Sequence, residues 1–89
     1  MITEKDLKDK KLKDIAALIL SDWDKPTFSA LPYLRAMLLV DTLEDEYGYD
    51  NGYSIVIYFL VNCSQWRGEV ARSVKKELRL RVKEYEKVE

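Results

Sequence analysis

Tyr53-Ser54-Ile55-Val56-Ile57-Tyr58-Phe59-Leu60-Val61-Asn62-Cys63 carries no charge, in a chain whose side chains are 35% charged. An element built from such a run has no polar stripe to turn toward water, so the rest of the chain must pack around it. Ile, Val, Tyr and Phe also favour strands, which makes a strand the direct rival. A lone strand would leave its backbone groups unpaired, and no other segment reads as a partner for it. The run is therefore expected to form a buried central helix over about residues 53–62.

Eighty-nine residues suit one domain, 1–89, able to bury roughly 60–65% of its unfolded surface. Between Pro26, Pro32, Gly48, Gly52 and Gly68 the pattern is helical, and the expected fold class is all-α, a compact bundle of about four helices. The first helix is expected from a Thr3/Asp6 capping arrangement to about Trp23, with Leu12, Ile15, Leu18 and Ile19 at helical spacing. Asp24-Lys25-Pro26 ends it. Ser29 would cap a second helix, with Pro32 in its first turn and Gly48 after its last residue, Tyr47. Asp50-Asn51-Gly52 turns into the central segment. Ser64 would cap the last helix, running to about Lys87 after a break near Asn62 to Gln65. Val70, Val74, Leu78, Val82 and Tyr85 form its apolar arc, and Gly68 would weaken its first turns.

The chain has no histidine, which removes the commonest general base and neutral metal ligand. One cysteine rules out the usual Cys/His zinc sets within a monomer, and three scattered glycines make no phosphate-binding loop. A non-enzyme is expected, with no catalytic residue, metal or cofactor. No apolar run approaches the roughly 18–20 residues of a bilayer span, and the N-terminus lacks a secretion pattern. Cys63 ends the apolar run, where a buried thiol in a reducing compartment is the natural reading. A cytoplasmic protein away from membranes is expected.

Charge is uneven. Residues 1–50 carry seven basic and eleven acidic side chains, a net of −4, and residues 51–89 carry eight and five, a net of +3. Asp41, Glu44, Asp45, Glu46 and Asp50 cluster, but a hard cation wants carboxylates from at least two helices. A solvated helix end explains them more simply. Arg72, Lys76, Arg79, Lys83 and Lys87 share one arc of the last helix and are the candidates for contacting nucleic-acid phosphates. Glu69, Glu77, Glu84 and Glu86 interrupt that helix, so its solvated back is the plainer account. Tyr47, Tyr49 and Tyr53 lie in a Gly/Asn/Asp-rich loop of the composition that binding loops favour. Trp66 and Arg67 are of the types enriched at binding hot spots. These five are the protein-binding candidates; against them, Tyr47, Tyr53 and Trp66 also suit the core, with Arg67 pairing the acidic helix end.

Pro32-Tyr33-Leu34-Arg35-Ala36-Met37, Tyr47-Gly48-Tyr49-Asp50, Ser54-Ile55-Val56-Ile57-Tyr58-Phe59-Leu60 and Trp66-Arg67-Gly68-Glu69-Val70-Ala71 resemble a group of small phage-encoded or prophage-type helical proteins. The resemblance covers roughly Ile15 to Leu80. That group has no assigned activity, so the resemblance brings no site residues. It implies a phage origin and the host cytoplasm as setting.

The leading expectation is a non-enzymatic protein-binding module, a phage-type modulator of a host or phage protein, with room for a homo-oligomer. A nucleic-acid-binding or transcription-regulatory protein using the basic stripe is the alternative. A carboxylate-dependent metal enzyme is the third reading.

Overall fold

The computed structural model describes residues 4–88, so the Thr3 half of the expected cap lies outside the described residues. In chain order the elements are α1 (Glu4–Lys8), α2 (Leu12–Asp22), α3 (Leu31–Met37), β1 (Glu46–Tyr47), β2 (Asp50–Asn51), α4 (Gly52–Val61) and α5 (Glu69–Val88). The chain is mostly helical and its radius of gyration is 12.0 Å, close to the roughly 12 Å of a compact chain of this length. All five helices feed one apolar cluster, from Leu7 through Ile19, Leu34 and Phe59 to Leu78.

The first expected helix is two. Successive residues of a helix are about 100° apart, so Leu7 and Leu12 in one continuous helix would diverge by about 140°. Both are buried, and the break over residues 9–11 is what lets them enter the same core. The backbone groups released there find tertiary partners. Leu12 N–H donates to the Asp41 carbonyl at 2.9 Å, and the Arg81 guanidinium donates to the carbonyls of Leu7, Lys8 and Lys10. Trp23 N–H then closes α2 on the Ile19 carbonyl.

The second expected helix is much shorter than the span from Ser29 to Tyr47: it runs over Leu31–Met37. Pro32 does lie in its first turn, but Ala30 is the residue before the helix, and the Ser29 hydroxyl meets that of Thr27 instead. Beyond Met37 the local chemistry favours a turn. The Asp45 carboxylate accepts from the N–H of Asp41 at 2.7 Å, the N–H of Thr42 at 3.2 Å and the Thr42 hydroxyl at 3.0 Å. Asp and Thr side chains compete with helix hydrogen bonds in this way. Val40 and Leu43 are thereby buried from a non-helical segment.

Tyr47 and Gly48 do not end a helix. They belong to a hairpin, β1 antiparallel to β2, with Glu46 opposite Asn51 and Tyr47 opposite Asp50. Gly48, at φ +61°, opens its two-residue loop, and a positive φ at the first loop position is the glycine requirement of a tight hairpin. The fold is therefore not purely α, and among the described residues five helices stand where four were expected.

The apolar run is helical, as expected. Asn51 caps α4 by accepting from Ser54 N–H at 2.9 Å, while the N–H groups of Gly52 and Tyr53 donate to the carbonyls of Asp45 and Leu43. The break before α5 also falls where expected, but Ser64 caps nothing: α5 begins at Glu69, and Gly68 precedes it at φ +114° rather than lying within it. Its Ala71, Val74, Leu78 and Val82 are buried, with Val70 and Tyr85 half-buried.

Candidate functional site

The expected binding residues do not form one surface. Tyr49 is fully exposed at the hairpin tip, beside the partly exposed Tyr47. Tyr53 is committed internally: its ring stacks on Tyr85 with centroids 4.7 Å apart, and its hydroxyl donates to Glu86 at 2.5 Å. Trp66 is a core residue. It stacks on Trp23 at 6.0 Å, its indole N–H donates to Asp22 at 2.8 Å, and Lys75 lies over its ring while donating to its carbonyl. Arg67 is exposed, with no acidic partner among the described residues, so the expected pairing with the acidic helix end is absent. It also lies beyond the far end of α4, about 15 Å of helix from the hairpin.

Of the acidic cluster, Asp45 holds the turn, while the Asp41 carboxylate pairs with Lys13 at 3.4 Å. Asp45 is held below the ordinary carboxylate range, first by the Asp41 N–H, then by the hydroxyl and N–H of Thr42. Among the described residues no three His, Cys, Asp or Glu side chains are grouped so as to hold a metal ion. Burial pushes the Cys63 thiol up despite the fields of Lys75 and Arg79, which leaves it protonated and unreactive near neutral pH.

The basic arc is more continuous than the sequence implied. Arg72, Lys76, Arg79, Lys83 and Lys87 are all exposed. Two of the four glutamates read as interrupting them are engaged elsewhere: Glu77 accepts from Arg81 Nε at 2.6 Å, and Glu86 accepts from Tyr53.

One surface was missed altogether. The central helix is buried on only one side, through Ile55, Val56 and Phe59; on the other, Tyr58 and Val61 are exposed, Val61 to 71%. α3 runs in the opposite sense along α4, and Tyr33 stacks on Tyr58 with centroids 5.4 Å apart. The Thr27 hydroxyl reaches the Asn62 carbonyl at 3.4 Å, which brings the neighbouring Phe28, 92% exposed, to the Val61 end of the helix. The signal was present in the run itself. A helix with no polar stripe must expose apolar side chains wherever too few neighbours surround it. This face offers shape and apolar area, with no charged group on the α4 stripe Ser54, Ile57, Tyr58 and Val61.

Compared with known proteins, the chain matches no family model, no curated protein and no solved structure, so the resemblance to phage-type proteins draws no support from them.

Proposed function

We propose that this protein is a small non-enzymatic protein-binding module whose contact surface is the outer face of α4, extended by Tyr33 and Phe28. The carrying observation is the exposure of Phe28 and Val61, 92% and 71%, beside the Tyr33–Tyr58 stack. Burying an apolar side chain of this size is worth about 1.5–3 kcal/mol, and contiguous apolar area rimmed by polar residues marks interaction sites. The surface is uncharged along α4, so it suits the apolar side of a partner's helix better than an ionic partner. On the phage-type resemblance that partner is a host or phage protein.

The test compares wild-type protein with the Phe28→Ser/Val61→Ser variant as bait for affinity capture and for sedimentation analysis. The variant should keep its melting temperature while losing the protein that wild type retains, or losing self-association if the partner is a second copy. Identical capture and identical sedimentation by both would remove this face as the binding surface.

A further inference from the structure

A second face, remote in character from the apolar one, lies along α5. Arg72, Lys76, Arg79 and Lys83 are exposed at spacings of four, three and four, which places one cation on each turn of a single helix face, about 5.4 Å apart. Among the described residues no carboxylate pairs with Arg72, Arg79 or Lys83. Exposed Glu69 and Glu84 flank the row, and α1 adds exposed Asp6. A groove of about 340 Å³ runs beside it, between Lys5, Leu7 and Lys8 of α1 and Lys76, Glu77 and Leu80 of α5. Leu80 leaves 49% of its surface open there, and Glu77, on the same wall, is held by Arg81. The groove is therefore apolar within and has three lysines around it.

We propose that this α1–α5 face binds an acidic amphipathic helix of a partner protein. A helix lying alongside α5 presents one residue per turn, so acidic residues at three- and four-residue spacing meet Arg79 and Lys83 on successive turns and Arg72 two turns before Arg79. Its aliphatic side chain fills the groove against Leu80, in the manner of helix-in-groove recognition. Charge complementarity selects the acidic partner and sets the rate of encounter; the groove adds the side-chain preference. A nucleic acid would use the cations alone. It would leave Leu80 unmatched, and this face presents no open aromatic for base stacking, because Tyr85 is stacked on Tyr53. The proposal goes beyond the α4 reading and stands if that face binds nothing.

The experiment uses fluorescence anisotropy on the whole chain at low and near-physiological salt. Four labelled probes are compared: a helical peptide with glutamates at three- and four-residue spacing and one leucine per turn, the same peptide with serine for leucine, a single-stranded DNA and a duplex DNA. The leucine peptide should bind tightest and weaken with salt. Arg79→Glu/Lys83→Glu, both exposed and therefore fold-neutral by melting temperature, should weaken it about tenfold or more. Leu80→Ser should weaken the leucine peptide several-fold and leave the serine peptide unchanged. Equal binding of both peptides, indifference to the charge reversals, tighter binding of either DNA, or no peptide binding at low salt would each overturn the proposal.

Discussion

The Arg81 guanidinium donates to the Lys10 carbonyl at 2.8 Å across 71 residues of sequence, while Glu77 holds its Nε at 2.6 Å. One planar fork thereby ends α1, bridges it to α5 and satisfies carbonyls that the helix break exposes. A guanidinium suits this because its donors diverge within one plane and its charge is permanent.

Arg81→Ala should destabilise the fold by about 2 kcal/mol, since charge-assisted hydrogen bonds are worth about 1.5–3 kcal/mol each and this site is only partly shielded. Arg81→Lys should recover less than half, because an ammonium cannot span three carbonyls. Thermal melting should show a drop of about 10 °C for the alanine variant. Hydrogen exchange should show the amides of residues 7–12 losing protection first. Unchanged exchange there would mean Leu7 alone holds α1.

Gly52→Ala should be destabilising although alanine is the better helix former. A Cβ built at Gly52 would lie within van der Waals overlap of the Thr42 carbonyl oxygen, and 2.9 Å from the Leu43 Cα. Moving that backbone costs about 1–3 kcal/mol, beyond the roughly 1 kcal/mol of helix propensity gained. Gly48→Ala meets no atom within 4 Å but keeps φ at +61°, so its cost should be conformational only, about 1 kcal/mol. Urea denaturation of the two variants measures the order; a Gly52→Ala protein as stable as wild type would contradict the close approach.

The two sides of α4 should respond oppositely. Phe59 is fully buried, and Phe59→Ala should cost about 3–5 kcal/mol, enough to leave little folded protein at 37 °C. Val61→Ser, on the exposed side, should shift stability by no more than about 0.5 kcal/mol. Circular dichroism melts decide the matter, and a strongly destabilised Val61→Ser protein would show that this side is covered after all.

Acid should unlock the turn after α3. The Asp45 carboxyl lies below its ordinary 3.8 in the folded protein, so the unfolded chain binds its proton first as pH falls. Its stabilisation is full above the unfolded value and is lost as pH drops through the folded one. Urea midpoints measured from pH 6 down to pH 2 should fall more steeply for wild type than for Asp45→Asn. Parallel curves would show that the carboxylate contributes nothing to the turn.

Local pattern was enough to place three of the longer helices. Leu12, Ile15 and Ile19 repeat at helical spacing in α2, α5 alternates an apolar arc with a charged one over twenty residues, and the apolar run of α4 had no strand to pair with. Their packing depends on side chains within the same segment, so sequence spacing carries the information. The breaks and the surface were set at longer range. The α1–α2 break rests on Arg81 and on the Asp41 carbonyl, and the end of α3 rests on an Asp45 turn that also supplies carbonyls to the start of α4. Residues 41–45 fell inside the expected second helix, but side-chain hydrogen bonds and the burial of Val40 and Leu43 outweighed weak helix propensity. Trp66 and Tyr53 are tied into the fold because Asp22 and Glu86, forty-four and thirty-three residues away, take their polar atoms. Phe28 and Val61 joined the surface because α3 is too short and the bundle too small to cover both sides of α4. Composition shows how much apolar area a chain has; which part stays in water depends on how many neighbours reach it.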